Sequence, residues 1–284
     1  MTEQKSGRLS IVATPIGHLQ DITLRALSTL KAADLVLAED TRHTRKLLVH
    51  HGIHAKLRAL HAHSSEAVIE QCLSALAGGQ HLALVTDAGT PLVSDPGAAL
   101  VRRASQSGVT VESIPGASAV TAALAVSGVA FDAFRFVGFA PRSGTRREAW
   151  LDGIAADRGA SVFFESPLRL CDTLTELAER LPDERLLAVC RELTKLHEEV
   201  VRGSAKELAA RYADGTRGEI TVVVGAGEPG SKDQVKDVPI EPRIVELLAQ
   251  GVSPRDVARQ LARETGKARR ELYAWVRAVA ERKV

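Results

Sequence analysis

Short apolar runs alternate with longer amphipathic segments over the first 116 residues of the chain. A continuous apolar run such as 82–86 is typical of a strand buried in a parallel sheet, whereas apolar residues at every third or fourth position indicate a helix. Regular alternation of the two predicts βαβ units and an N-terminal α/β domain over 1–116. Strands are predicted at 9–13, 35–38, 57–60, 82–86 and 109–114, and helices at 22–33, 41–50, 65–77, 98–107 and 117–126.

A second α/β domain is predicted over 117–227. Two short apolar runs follow one another on either side of the polar segment 195–198, which indicates a hairpin and therefore a partly antiparallel sheet. Strands are predicted at 134–139, 161–164, 186–190, 199–201 and 219–224, and helices at 145–156, 168–180 and 205–213.

The C-terminal part of the chain differs in both pattern and charge. A Gly-, Pro- and Ser-containing segment predicts a linker over 228–240, and the helical segments 243–250, 253–265 and 267–282 predict a helix-turn-helix-like appendage over 241–284. The whole chain has a net charge of +2, but this appendage holds ten Lys and Arg against six Asp and Glu. The local excess indicates an anionic partner, with a solvated helical face as the simpler alternative.

Composition points to an ordinary globular protein of the cytoplasm. Of the 284 residues, 45% are apolar and 25% are charged. The three cysteines, Cys72, Cys171 and Cys190, are far apart, which argues against a disulfide framework or a structural zinc site. The polar start of the chain does not resemble a signal peptide, and no apolar run has the length of a membrane span, so we expect no membrane association.

Polar and glycine-rich patches follow five of the predicted strands. The most informative is the loop from Asp87 to Gly97, which holds two Gly, two Pro and two Asp after a buried strand. The carboxyl edge of an open α/β sheet is where small molecules bind, so this loop predicts a ligand site. Plain connectors, and surface ion pairs of Glu165 or Glu192, are the alternatives for the other patches. The five patches are 14–19, 87–97, 114–119, 163–167 and 190–195.

The sequence also excludes several kinds of chemistry. It has no phosphate-binding P-loop, no dinucleotide fingerprint after the first strand, no nucleophile elbow and no HExxH metalloprotease motif. Six of the nine histidines fall within residues 43–63, but no carboxylate or cysteine accompanies them at familiar ligand spacing. We therefore predict no metal, and interpret these histidines as solvent-facing or RNA-facing.

The five patches, in this order and at these spacings, resemble the tetrapyrrole methylase superfamily over residues 9–226. Within it they are similar to the branch that methylates small-subunit ribosomal RNA. Two positions depart from that pattern, because His18 replaces the usual Asn and Leu168 the usual His. The motifs are Ala13-Thr-Pro-Ile-Gly-His-Leu-x-Asp-Ile-Thr, Ala38-Glu-Asp-Thr-Arg-His-Thr, Thr86-Asp-Ala-Gly-Thr-Pro-Leu-Val-Ser-Asp-Pro-Gly, Ile114-Pro-Gly-Ala-Ser-Ala and Arg191-Glu-Leu-Thr-Lys.

The resemblance implies two α/β domains of the class III methyltransferase type, with S-adenosylmethionine in the cleft between them. It implies methylation of the ribose 2′-hydroxyl of a cytidine in the decoding region of small-subunit (16S) ribosomal RNA, as free RNA or as the 30S subunit, by a homodimer. The residues that it marks as cofactor-binding are Pro15, Gly17, Asp87, Gly89, Thr90, Gly116, Ala117, Ser118, Ala119, Glu165, Ser166, Glu192 and Gly218.

A ribose hydroxyl must lose its proton as it attacks, so a general base should lie within hydrogen-bond reach of it. The sequence does not choose among the candidates. They are Glu39, Asp40, Glu192 and Lys195.

RNA should be recognised by charge and shape, because aromatic residues make up only 4% of the chain. Two other functions stay open: a small-molecule tetrapyrrole methyltransferase of the same fold, and a nonenzymatic RNA-binding protein that binds no S-adenosylmethionine. The candidate phosphate contacts, besides the basic appendage, are Arg42, Arg142, Arg146 and Arg147.

Overall fold

The computed structural model describes residues 7–61, 64–227, 240–250, 252–265 and 269–281. The chain divides into two compact units, with the boundary between Ala226 and Gly227. The first unit holds two five-stranded sheets, and the second holds three helices. Of the predicted linker, residues 228–239 lie outside the described residues, and Ile240 begins a helix.

The first sheet is parallel throughout, as the alternating pattern predicted. Its strands are β1 (Arg8–Val12), β2 (Leu35–Ala38), β3 (Leu57–Ala59), β4 (His81–Leu84) and β5 (Thr110–Ile114), in the order β3-β2-β4-β1-β5. The helices of this part of the chain are α1 (Leu24–Ala32), α2 (Thr41–His50), α3 (Glu66–Ala77), α4 (Ala98–Gln106) and α5 (Ala119–Ser127).

Helices cover both faces of this sheet, which is why most positions of its central strands are apolar. Leu82 and Leu84 of β4 pack in one cluster with residues of α3 and α4, whereas Ala83 packs in another with residues of α1 and α2. Successive side chains of a strand point to opposite faces, so both faces of β4 are buried. The strand ends therefore project their loops at one edge of a rigid layer.

The second sheet is mixed. Its strands are β6 (Phe134–Phe139), β7 (Ala160–Glu165), β8 (Leu187–Arg191), β9 (Glu199–Gly203) and β10 (Ile220–Val224), in the order β6-β7-β10-β8-β9. β6 and β7 are parallel and the other neighbours are antiparallel, so the predicted β8–β9 hairpin is confirmed. Its helices are α6 (Thr145–Ala155), α7 (Leu170–Ala178) and α8 (Ala205–Arg211), and α5 also packs against this sheet.

The C-terminal unit contains α9 (Ile240–Ala249), α10 (Pro254–Thr265) and α11 (Arg269–Glu281), close to the three predicted helices. Apolar residues of all three helices form one small core, centred on Ile244, Leu261 and Val276. Among the described residues, no helix is long and apolar enough to cross a membrane.

Candidate active site

Hydrogen bonds join the loops that follow three neighbouring strands of the first sheet. Thr14, after β1, and Gly89, after β4, exchange two backbone hydrogen bonds with N···O distances of 2.9 and 3.0 Å. The Thr14 hydroxyl also donates to the carbonyl oxygen of Thr86 at 3.1 Å. After β5, the carbonyl oxygen of Ala117 accepts the hydroxyl of Thr90 at 3.1 Å. Since parallel strands end at one edge of their sheet, these loops build one continuous surface.

The loop after β2 joins this surface through Asp40. Its backbone N–H donates to Oδ1 of Asp87 at 3.0 Å. The Asp40 side chain caps α2 by accepting the backbone N–H of Arg42 at 2.8 Å, and it also pairs with the Arg42 guanidinium at 2.7 Å. These hydrogen bonds hold the pKa of Asp40 well below its usual range. Asp40 is therefore a structural cap and a weak proton acceptor.

Two loops at the strand ends contain residues with unusual backbone conformations. In the described parts of the chain, Leu92, Ser94, Glu192 and Thr194 are the non-glycine residues with positive φ, between 52° and 75°. A left-handed conformation costs about 1–2 kcal/mol per residue, so the surrounding structure must hold it in place. The first two lie in the Asp87–Gly97 loop and the other two follow β8.

Glu165, at the end of β7, is buried, and protein groups use both of its carboxylate oxygens. Oε1 lies 2.6 Å from the Arg169 guanidinium and accepts the backbone N–H of Ser166 at 2.7 Å. Oε2 accepts the Thr173 hydroxyl at 2.6 Å. Glu165 therefore fixes the turn that enters α7 and positions Ser166, instead of offering a free carboxylate to a ligand.

Glu192 and Lys195 form an ion pair beside Gly218. Oε1 of Glu192 accepts hydrogen bonds from Nζ of Lys195 at 2.9 Å and from the backbone N–H of Glu219 at 2.8 Å. Gly218 has a φ of +94°, and a Cβ there would lie only 2.5 Å from Cγ of Glu192. A side chain at position 218 would therefore clash with the Glu192 side chain and displace this ion pair.

The loops of both sheets enclose a cavity of about 410 Å³, a volume typical of small-molecule sites. Small residues and main-chain groups supply much of its lining, and carboxylates supply most of its charge. Eight of the residues predicted to bind the cofactor line it, namely Asp87, Gly89, Thr90, Ser118, Ala119, Glu165, Ser166 and Gly218.

The other five predicted cofactor residues do not line this cavity. Pro15 and Gly17 flank Ile16, which does line it, and Gly17 packs so closely against Lys195 that a Cβ would lie 2.5 Å from its Cγ. Ala117 contributes its carbonyl oxygen, which accepts the hydroxyl of Thr90. These positions shape the surrounding loops. The five residues are Pro15, Gly17, Gly116, Ala117 and Glu192.

Three carboxylates, from Glu39, Asp87 and Asp95, lie close together at one side of the cavity. Burial, with smaller contributions from Glu39 and Asp87, raises the pKa of Asp95 to about 6. Burial also raises the pKa of Glu39, and Asp87 adds to that effect. The Thr86 hydroxyl is close enough to oppose both shifts, although it is buried and forms no hydrogen bond of good geometry. Because Asp95 lines the cavity, the charge of the cavity wall changes as this carboxyl group titrates near neutral pH.

The surroundings separate the predicted general bases. Burial alone would lower the pKa of Lys195, but its hydrogen bonds to Glu192 and Glu219 outweigh that effect and raise it. The raised pKa favours the protonated form of Lys195, which makes this residue a poor proton acceptor and argues against it as the general base. The hydrogen bond from Lys195 also lowers the pKa of Glu192, which makes it a weak acceptor. Glu39 keeps a raised pKa but does not line the cavity.

The structure buries one of the predicted RNA contacts. Arg147 is only 6% exposed, and its guanidinium is bound to the carboxylate of Glu176 at 2.9 Å and to the hydroxyl of Thr173 at 2.9 Å. This arginine holds α6 against α7. Arg142 and Arg146 are exposed, as is Arg42, which pairs with Asp40.

The two departures from the family pattern have different surroundings. Nδ1 of His18 accepts the backbone N–H of Gln20 at 3.3 Å and caps a short 3-10 turn, as an asparagine oxygen would do. Leu168 is 88% exposed on the turn after β7. Among the described residues, no group of three or more His, Cys, Asp or Glu side chains could hold a metal ion, while His63 lies outside them.

Sequence reasoning did not name several residues of the cavity lining, among them Thr86, Asp95 and Phe139. A signal for the first two was present, because both belong to the polar loop that follows β4. The pattern gave no signal for Phe139, since an apolar residue at the end of a strand is expected to be buried.

Comparison with known proteins gives consistent matches. The tetrapyrrole (corrin/porphyrin) methylases match residues 8–209. Ribosomal RNA small subunit methyltransferase I of Synechocystis is 41% identical over 268 residues, which cover 94% of this chain and 96% of that protein. The Mesorhizobium japonicum protein of the same name is 45% identical, covering 93% and 90%. The one from Mycobacterium tuberculosis H37Rv is 43% identical, covering 94% of each.

Solved structures with the same fold include more distant proteins. Uroporphyrin-III C-methyltransferase from Thermus thermophilus has a TM-score of 0.56 at 21% identity, covering 77% of this chain and 94% of that one. Cobalt precorrin-4 methyltransferase has a TM-score of 0.60, also at 21% identity and with the same coverage. At these identities the likeness establishes the fold, two α/β domains of the class III methyltransferase type.

Proposed function

The chain belongs to the tetrapyrrole methylase family and, within it, to the ribosomal RNA small subunit methyltransferases I, and from this premise we propose that it methylates the ribose 2′-hydroxyl of a cytidine in the decoding region of small-subunit ribosomal RNA. It is a methyltransferase whose cofactor is S-adenosylmethionine. The observation that carries the proposal is the cavity between the two sheets, where a carboxylate of raised pKa lies beside small and main-chain groups.

The cavity suits the cofactor in both size and chemistry. Its volume is about 410 Å³, and the buried hydroxyl of Thr86, which lines it, lacks a well-formed hydrogen bond. The carboxylates of Asp87 and Asp95 favour a cationic ligand such as a sulfonium. In this proposal, Asp87, Gly89 and Thr90 hold one side of the cofactor, while Ser118, Ala119 and Gly218 hold the other.

When bound, S-adenosylmethionine supplies a methyl group on a positively charged sulfur. Transfer to the ribose hydroxyl would form an O–C bond at the expense of the S–C bond, and the hydroxyl proton would need an acceptor on the protein. We assign Asp95 as the proton acceptor, because it lines the cavity and its pKa of about 6 suits a base that works near neutral pH. The protein otherwise contributes alignment of the two reactants.

The RNA would be held mainly by charge. Arg42, Arg142 and Arg146 are exposed, and the C-terminal unit is basic. Phosphate contacts of this kind position the RNA without reading its sequence. We further propose a homodimer, as the resemblance implies, which sedimentation of the purified protein would test.

The function is tested with small ribosomal subunits, and with their free RNA, from a strain that lacks the gene. Incubation with the purified protein and S-adenosylmethionine should restore one methylated cytidine, identified by mass spectrometry of nuclease digests. Methyl transfer to a tetrapyrrole but not to RNA would favour the small-molecule alternative. RNA binding without cofactor binding would favour the nonenzymatic one.

Asp87→Ala tests where the cofactor binds. Removing this carboxylate takes away a charged group of the cavity and also the acceptor for the backbone N–H of Asp40. We expect S-adenosylmethionine binding to become undetectable by titration calorimetry. Asp172→Asn, a change in the first turn of α7 at a residue outside the cavity lining, is the control and should bind normally. Unchanged affinity in Asp87→Ala would refute this placement of the cofactor.

A further inference from the structure

Three phenylalanines form a chain of edge-to-face contacts that ends at the cavity. The ring centres of Phe136 and Phe164 are 4.9 Å apart, and those of Phe164 and Phe139 are 5.3 Å apart. Phe136 and Phe164 pack against the apolar cluster beneath the second sheet, and both Phe164 and Phe139 line the cavity, where Phe139 is 59% exposed. Phe139 is therefore an exposed ring held from below by a rigid support.

The backbone around Phe139 aims this ring at the cavity. The register of β6 against β7 shifts between Phe136 and Phe139, and Gly138 has a φ of +71°. Such a bulge redirects the side chain that follows it. A Cβ on Gly138 would lie 3.9 Å from Oγ of Ser94, the neighbour of Asp95. The bulge thus lies close to Ser94, and Phe139 and Asp95 both line the cavity.

Positive charge lies just beyond this ring along the chain. Arg142 and Arg146 follow Phe139 closely and are both exposed. Proteins that bind single-stranded nucleic acid combine such cations, which hold phosphates, with aromatic rings on which unpaired bases stack. Phe139 supplies an exposed ring at the cavity, and Arg142 and Arg146 supply exposed cations shortly after it in the sequence.

We propose that Phe139 is the platform on which the base of the target nucleotide stacks once it has left the RNA stack, with its ribose directed toward Asp95. This inference rests on the proposed function and adds the contact that positions the acceptor nucleotide. Stacking is tolerant of base identity, because every base has a flat face. The platform therefore selects an unstacked nucleotide, while other contacts select cytidine.

The test compares Phe139→Ala and Phe139→Trp with Phe134→Ala. Phe134 lies on the same strand and is 48% exposed, but it does not line the cavity, so it is a matched control. Each variant is assayed for kcat/KM on small subunits that lack the methyl group, for S-adenosylmethionine affinity by calorimetry, and for oligomeric state by sedimentation. Phe139→Ala should lower kcat/KM by about 10- to 100-fold, the range expected for one lost stacking contact. Phe139→Trp should retain most of the activity, Phe134→Ala should match the wild type, and all three should bind the cofactor normally.

Several results would overturn the platform. Full activity of Phe139→Ala would refute the stacking role and leave the proposed function intact. Equal losses of kcat/KM in Phe139→Ala and Phe139→Trp would have the same meaning. A parallel loss of cofactor affinity would assign Phe139 to the cofactor instead. A change of oligomeric state would make this face a contact between copies of the chain. Failure of the wild-type protein to methylate any form of the RNA would refute the proposed function itself, and the platform with it.

Discussion

Asp95 illustrates how a single side chain acquires its chemistry from its neighbours. An ordinary aspartate has a pKa near 3.8, but burial beside Glu39 and Asp87 raises that of Asp95 to about 6. A carboxylate of this kind is a stronger proton acceptor than an exposed one and is still mostly ionised at pH 7. The same burial should make the ionised form costly to the fold.

Asp95→Asn is expected to remove the base and its pH dependence. For the wild type, kcat/KM should rise with pH through about 6 and then level off, because the ionised form is the active one. The variant should be slower by roughly 10²- to 10⁴-fold and show no such rise. Transfer of a radiolabelled methyl group to subunits between pH 5 and 8.5 measures both. Glu39→Gln is the comparison variant. If the pH profile of kcat/KM were unchanged in Asp95→Asn and its rise were lost in Glu39→Gln, Glu39 would be the base.

The free energy of unfolding gives an independent check on the pKa of Asp95, because this pKa is higher in the folded state than the ordinary value of 3.8. The folded protein holds this proton more tightly, so the contribution of Asp95 to stability falls as the pH rises from about 4 to about 6. An asparagine carries no such cost. Asp95→Asn should therefore have a higher urea midpoint than the wild type at pH 8, with the difference shrinking toward pH 4.

At the scale of secondary-structure elements, the buried guanidinium of Arg185 joins the end of β10 to the end of α6. Nε donates to the carbonyl oxygen of Gly225, after β10, at 2.9 Å. Nη1 donates to that of Ile154, near the end of α6, at 3.1 Å, and Nη2 to that of Asp157 at 2.9 Å. Burial lowers the pKa of Arg185, but an arginine remains charged. A cation at a helix C-terminus also complements the helix dipole.

Arg185→Met is expected to destabilise the fold by about 3 kcal/mol or more, because several buried carbonyl groups lose their donor. Urea unfolding followed by circular dichroism measures the loss. Arg211→Met is the matched control, since that side chain is 55% exposed and pairs with the carboxylate of Glu199, and its effect should stay within about 1 kcal/mol. Similar effects in the two variants would contradict the role assigned to Arg185.

The elements themselves could be predicted from the sequence, apart from a few ends. β4 was predicted to reach residue 86 but ends at Leu84. Val85 still donates its backbone N–H to the carbonyl oxygen of Leu37 on β2 at 2.9 Å, and the chain then enters the Asp87–Gly97 loop. α1 was predicted from residue 22 but begins at Leu24, after the Thr23 side chain caps it. Periodicity reports which face of an element is buried, and it carries no information on a bulge such as the one before Phe139.

At the scale of the whole molecule, the site depends on which strands are neighbours. The order β4-β1-β5 brings Thr14, Gly89 and Ala117 together, although more than a hundred positions separate the first from the last. The five strand-end patches were sufficient to predict a cleft and its family. They were not sufficient to predict the base, because the pKa of Asp95 and the pairing of Lys195 depend on distances between parts of the chain that are far apart in sequence.

The C-terminal unit is expected to contribute to RNA binding and not to cofactor binding. The described residues up to 226 belong to one compact unit, and the described lining of the cavity comes entirely from it. A chain that ends before Lys236 should therefore bind S-adenosylmethionine with unchanged affinity. It should methylate small subunits at least about tenfold more slowly, since several phosphate contacts are lost.

Calorimetry and a subunit methylation assay at two salt concentrations measure these effects. The rate of the full-length protein should fall more steeply with salt than that of the truncated one. A truncated chain that methylates assembled subunits at the full rate would refute the role of the appendage.

The central claim is that the cleft transfers a methyl group from S-adenosylmethionine to a ribose oxygen of small-subunit RNA. The most direct measurement supplies S-adenosylmethionine with a deuterated methyl group to the purified protein and to subunits that lack the modification. Mass spectrometry of the nucleosides then locates the label. The proposed transfer predicts one labelled cytidine with the deuterated methyl on its sugar fragment. Label on a base fragment, or no label in the RNA while S-adenosylmethionine is bound, would contradict it.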